Sequence, residues 1–365
     1  METVTTTAQS TGPLLTMTRT TPTVLWNDSA DPDELTRSME FGAVGATCNP
    51  VIAYTTLTKH PGTWRPRLAE LAAAHPLATE AELGWAAVKE LSVTAAALLR
   101  PVFAQHGGRN GRLSIQTDPR LHANTDALVA QAVEFDGLAP NIIVKIPATA
   151  AGIRAMEEAT YRGVSINSTL SFTVAQALAA GEAIERGLVR RENEGLDVST
   201  MGPVVTIMGG RLDDWLKDVV ARDDVTIEPG HLEWAGVAAL KRAYALFRQR
   251  RLRSRMLSAA FRNHLQWSEL VGGDLVISPP FAWQQRFNRS GLVPEPRIDV
   301  PVEPRVLDAL LTRVPEFRRA YEPDGLAVEE FASFGASRTT LRQFLDSNHG
   351  LERLVRDVVV PDPLA

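Results

Sequence analysis

The chain has 365 residues, 44% of them hydrophobic and 22% charged, and a net charge of −5. That length can bury a substantial core, and the acidic balance argues against a nucleic-acid or general anionic partner. The single cysteine, Cys48, excludes an intrachain disulfide and a multi-cysteine metal site, and no apolar run reaches the roughly 18 residues of a membrane span.

The opening "METVTTTAQSTGPLLTMTRTTP" is rich in Thr and Ser. It lacks the basic and long apolar regions of a secretory leader. Residues 1–21 are therefore expected to be a flexible tail, and the protein cytoplasmic. Eight runs of strand length follow: "VLWND" (24–28), "AVGATCN" (43–49), "RLSIQTD" (112–118), "NIIVKIPA" (141–148), "VSINSTL" (164–170), "VVTIMGG" (204–210), "SRMLSAAF" (254–261) and "DLVISPP" (274–280). Several are apolar throughout rather than alternating, as strands of a parallel sheet buried on both faces should be.

Helical patterns separate them. "DPDELTRSMEF" opens with acidic residues and proline in its first turn. "RPRLAELAAAHP" and "ELGWAAVKELSVTAAALLRPVF" form a long helical insertion after the second strand. "NTDALVAQAVEF", "TAAGIRAMEEATYRG", "FTVAQALAAGEAIERGL" and "GVAALKRAYALFRQRR" continue the alternation. The pattern predicts a single (β/α)8 TIM-type barrel over residues 22–285. A doubly wound open sheet is the alternative, but GxGxxG is absent after the first strand. Residues 286–365 read as a C-terminal helical extension packed on the barrel, reached through the Pro-rich connector 291–304.

In such a barrel, polar residues near the strand C-termini line one mouth. They are Asp28, Thr47 and Asn49, then Gln116 and Asp118, Lys145, Asn167 and Thr169, with Arg211 and Arg262 after the sixth and seventh strands. Lys145 stands out because it interrupts the apolar run of the fourth strand. Only five of the 38 Lys and Arg residues are lysine. A desolvated amine has a depressed pKa and can attack a ketone to form a Schiff base. The strand context leaves two other readings open: a side chain that snorkels to the strand end, or one paired with a carboxylate.

The segment "NIIVKIPATAAGIRAMEEATYRGVSINSTLSFTVAQA" resembles the transaldolase signature around the Schiff-base lysine. "AVGATCNP" resembles that family's "GATTNP", "LWNDSAD" its "ADTGD", "GGRLDDW" its "GRILDW", and "AAFRNHLQWSELVGGD" its "ASFRN…ELAGCD". These co-linear matches imply an α/β barrel with no metal or organic cofactor. They also imply sugar-phosphate substrates, a place in carbohydrate metabolism such as the pentose phosphate pathway, and room for a homodimer. The resemblance makes Lys145 the Schiff-base lysine and Asp28 the general acid/base. Thr47 and Asn49 become donor contacts, Asn167 a substrate-binding amide, and Thr169 the hydroxyl that positions a catalytic water. Arg211 and Arg262 become the two phosphate-binding arginines.

Three positions depart from that pattern. Gln116 stands where transaldolases have glutamate, and an amide can orient water but not exchange protons at neutral pH. The related fructose-6-phosphate aldolases resemble this chain there. Met208 replaces a Phe or, in those aldolases, a Tyr, and Ala260 replaces a phosphate-binding serine. A reversible aldol enzyme, or a sugar-phosphate binder with weakened turnover, therefore stand as alternatives. Elsewhere plainer readings apply. Asp118 caps a turn, Cys48 is a small apolar filler, and Arg112, Arg120 and the basic run 248–255 are solvated. The seven histidines show no HxxxH spacing.

Overall fold

Each of the eight apolar runs contains a short strand in the computed structural model, which describes residues 12–363. They are β1 (Val24–Asn27), β2 (Ala43–Thr47), β3 (Arg112–Gln116), β4 (Ile142–Pro147), β5 (Ile166–Thr169), β6 (Val204–Ile207), β7 (Arg255–Ala259) and β8 (Val276–Ser278). Every strand pairs in parallel with its sequence neighbour, and β8 closes on β1. The result is one closed eight-stranded barrel, not an open sheet.

The two-residue period of a strand sorts side chains between two apolar layers. Trp26, Ile143, Val204, Leu257 and Val276 fill the barrel interior. Ile142, Val144 and Ile146 face outward into the larger core beneath the helices. Gly45 leaves room for the interior indole, because a Cβ there would lie 2.5 Å from Trp26. The same period sets Asp28, Lys145 and Thr206 on the interior side, two residues beyond Trp26, Ile143 and Val204.

Helix starts follow local chemistry. Asp31 caps Pro32–Glu40, Asn49 caps Pro50–Lys59, and Thr79 forms a capping box with Glu82 at the start of Glu80–Gln105. A helix at Gly209–Arg222, which the sequence patterns did not single out, carries Arg211 in its first turn.

Two expectations are corrected. Residues 1–11 of the expected tail lie outside the described residues, but Pro13–Thr20 form a helix with Leu14 and Met17 fully buried. This helix packs against β1 and the helix Phe281–Arg289, and Leu14 donates its backbone N–H to Asn288. Its two apolar side chains have a core to enter, which a Thr-rich composition does not reveal. Arg112 is buried, and so is Arg255 from the basic run. At the N-terminal ends of β3 and β7, Arg112 donates to the carbonyls of Gly108 and Thr200, and Arg255 to Asn110 and the Arg109 carbonyl. Backbone carbonyls and an amide satisfy these guanidinium groups where solvent was expected to.

After β8 come the helices Pro304–Arg313, Pro315–Tyr321 and Gly335–Val359. The last, the terminal helix, contacts Pro50–Lys59, Glu80–Gln105, Gly209–Arg222 and the turn Pro119–Leu121. It lies along the rim formed by the strand C-termini. Among the described residues no helix is long and apolar enough to cross a membrane.

Candidate active site

A cavity of about 110 Å³ opens at the C-terminal ends of the strands. Lys145 enters it from β4, Asp28 from the end of β1, Thr47 from β2, Thr169 from β5, and Met208 and Arg211 from the start of the helix after β6. Asn49 and Arg262 also border it. Eight of the ten expected site residues thus share one cavity.

Lys145 is 6% exposed, which removes the snorkelling reading, and among the described residues it forms no ion pair. Burial is the largest influence on its amine and pushes the pKa below the ordinary lysine value. Asp28 and Cys48 oppose that shift, and the Arg211 charge assists it. Thr47 Oγ1 donates to Asp28 Oδ1 at 2.6 Å and so orients that carboxylate. Cys48 is fully buried, and burial raises its thiol to about 11, so it remains a neutral filler.

Gln116 and Asn167 flank Lys145 in the register of β3 and β5 but do not line the cavity. Asn167 Nδ2 donates to Ser114 Oγ at 3.0 Å, and its Oδ1 accepts from Thr206 Oγ1 at 2.8 Å. This amide therefore braces the wall beside Lys145, where direct substrate contact was expected. Gln116 Oε1 is buried with no hydrogen-bond partner among the described residues. Asn49 has a structural duty as well, since its Oδ1 caps the following helix at Ile52 N–H, 2.9 Å away. Thr169 Oγ1 lies 4.0 Å from Met208 Sδ, so a soft thioether occupies that side of the pocket. Asp118 accepts from the Arg120 backbone and pairs with its guanidinium, as a turn cap.

The two arginines meet because two backbone segments approach closely. A Cβ on Gly210 would lie 1.8 Å from the Ala260 carbonyl oxygen, and Ala260 adopts φ +63°. Arg211 is bonded by Thr340 and Gln343 of the terminal helix. Arg262 is bonded by Asp214 at 2.8 Å. Strand patterns did not indicate Thr206, although it sits two residues before Met208 and lines the cavity. They gave no sign of Thr340 and Gln343, whose contacts are wholly tertiary.

A larger cavity, about 430 Å³, lies between helices around Asp31, His60 and Trp64. Asp31, Asp33 and His60 place ligand atoms within 4.8 Å of one another there. The Asp31 carboxylate is already occupied by Lys59 Nζ at 2.7 Å and by the amides of Asp33 and Glu34.

The Transaldolase/Fructose-6-phosphate aldolase family model matches residues 25–320. "Transaldolase 2" of Streptomyces coelicolor is 35% identical over 213 residues, 56% of this chain and 55% of that protein. "Transaldolase 1" of Streptomyces avermitilis is 34% identical over 207 residues, 55% and 54% of the two chains. "Transaldolase" of Mycolicibacterium smegmatis is 31% identical over 211 residues, 56% and 55%. The chain spans about half the length of the curated relatives it matches. With a closed barrel, a buried lysine at its mouth and a family match over most of the sequence, this chain belongs to the transaldolase/fructose-6-phosphate aldolase family.

Proposed function

We propose that this protein transfers a three-carbon dihydroxyacetone unit between sugar phosphates through a Schiff base on Lys145. The observation that supports this most is a buried amine that has no ion-pair partner among the described residues and faces the same cavity as a carboxylate and two arginines. Desolvation shifts the amine toward its neutral form, the one that attacks a carbonyl.

In this mechanism Lys145 Nζ adds to C2 of a ketose phosphate and water leaves, giving an iminium. Asp28, held by Thr47, takes the C4 hydroxyl proton. The C3–C4 bond breaks, its electrons pass into the iminium, and an aldose phosphate departs. The enamine left on Lys145 attacks the aldehyde carbon of a second aldose phosphate, whose new alkoxide takes the proton back from Asp28. Hydrolysis of the iminium, with water positioned by Thr169, frees the product. Thr47 and Asn49 contact the donor, and Met208 shapes the pocket wall. Arg211 and Arg262 bind the phosphate, for which the planar guanidinium fork is suited. The iminium is itself the electron sink, so no cofactor takes part.

Gln116 favours a second reading, reversible aldol cleavage without an acceptor, because its amide orients water but relays no proton. Incubation with fructose 6-phosphate, with and without erythrose 4-phosphate, separates the two. Glyceraldehyde 3-phosphate appearing only with acceptor is the result expected for transfer. Equal release without acceptor indicates the aldolase, and no release with either mixture indicates a sugar-phosphate binder.

A further inference from the structure

The two arginines at the cavity are held in different ways. Arg262 is exposed and ion-paired: Asp214 Oδ2 lies 2.8 Å from its guanidinium. Arg211 is half-buried, and among the described residues it bonds no carboxylate. Its Nη1 donates to Thr340 Oγ1 and Gln343 Oε1, and its guanidinium carbon lies 5.5 Å from the centre of the Phe344 ring. These three residues stand at i, i+3 and i+4, on one face of the terminal helix. All three are neutral. They fix the guanidinium without cancelling its charge, and among the described residues Nε and Nη2 make no hydrogen bond, which leaves them for an oxyanion.

Both arginines also border a second cavity of about 120 Å³, walled by Trp215, Thr340 and Gln343 and, on the Arg262 side, by the carboxylates Asp214 and Asp218. The terminal helix, Gly335–Val359, lies beyond the family-matched residues 25–320. The barrel therefore supplies the arginines, and an element outside the matched segment holds the guanidinium of one of them in place.

We propose that Gln343, together with Thr340, is a positioning residue that makes Arg211 the principal anion anchor, and that the terminal helix thereby sets the preference for a phosphorylated substrate. This deepens the sugar-phosphate reading above and rests on it. The chemistry requires a neutral acceptor at position 343. A carboxylate there would form an ion pair with Arg211 and compete with the oxyanion, whereas glutamine only aims the guanidinium.

Two measurements on the full chain test this. The first is calorimetric titration with inorganic phosphate, which needs no turnover. The second is borohydride trapping of dihydroxyacetone on Lys145, which needs no phosphate. Gln343→Glu is expected to weaken phosphate binding by about tenfold or more, with dihydroxyacetone trapping unchanged. Phosphate affinity equal to that of the unmodified protein would overturn the inference, as would equal loss of phosphate binding and trapping. If the unmodified protein binds no phosphate, Arg211 is no anion anchor and the inference also fails. Should Gln343→Glu not fold, Gln343→Leu must still weaken phosphate severalfold, because the acceptor that aims Nη1 is gone; unaltered affinity would refute the idea. Trapping that fails throughout while phosphate binding responds to Gln343→Glu would sink the Schiff-base reading and leave the anion anchor standing.

Discussion

In the proposed reaction a single buried amine governs the chemistry at the residue scale. Burial favours its neutral form, and the adjacent carboxylate limits how far that goes. Lys145→Met should therefore abolish adduct formation and also stabilise the fold by about 1–2 kcal/mol, since a desolvated amine is replaced by an apolar chain of similar length. Chemical denaturation at neutral pH measures this. The sign fixes the pH dependence too. With a folded pKa below the unfolded one, the unfolded chain binds more protons between the two values, so the Lys145 contribution to stability improves as pH rises through that window. Gln116, next to Lys145 in the β3–β4 register, provides a second test. Gln116→Glu should move the pH midpoint of adduct formation upward, because a carboxylate beside the amine favours ammonium. A pH profile of borohydride trapping checks the direction.

At the scale of elements, helix caps aim the segments that frame the mouth. Asp31 is the clearest case, at 1% exposure. Burial alone would raise its carboxyl, but Lys59, His60 and the Glu34 amide outweigh burial and hold it down at about 2. That depressed value contributes stability above the unfolded pKa, near 3.9, and the contribution is lost as pH falls toward 2. Asp31→Ala should cost about 1–2 kcal/mol at pH 7 and flatten the acid limb of the stability curve between those values, as acid titration followed by circular dichroism would show. The same scale explains what could be read in advance. Strands buried on both faces leave uninterrupted apolar runs, so all eight were legible within a few residues. The helix Pro13–Thr20 was not, because six of its eight residues are not buried and its Thr-rich sequence has the composition of a tail. Gly209–Arg222 was missed because its two opening glycines read as turn chemistry, although Gly210 is what lets Arg211 approach Ala260.

Across the whole molecule, the closed sheet gathers residues that lie far apart in the chain. Asp28 and Arg262 border one cavity because β8 returns to β1. Strand order was enough to place eight expected residues at one cavity. It could not show that the Asn167 amide would be taken by Ser114 and Thr206, or that Arg112 and Arg255 would be buried, because those outcomes depend on contacts between distant segments. The proposed anion site, which joins the barrel to the terminal helix, has a global consequence. Inorganic phosphate at about 100 times its dissociation constant should stabilise the fold by about 2.7 kcal/mol, and Arg211→Ala should remove most of that gain, as thermal scans with and without phosphate would report. The central claim is tested most directly by borohydride reduction in the presence of fructose 6-phosphate, followed by peptide mass mapping. The expected result is one reduced adduct, on Lys145. An adduct on Lys59, Lys89, Lys217 or Lys241 instead, or none at all, would contradict it.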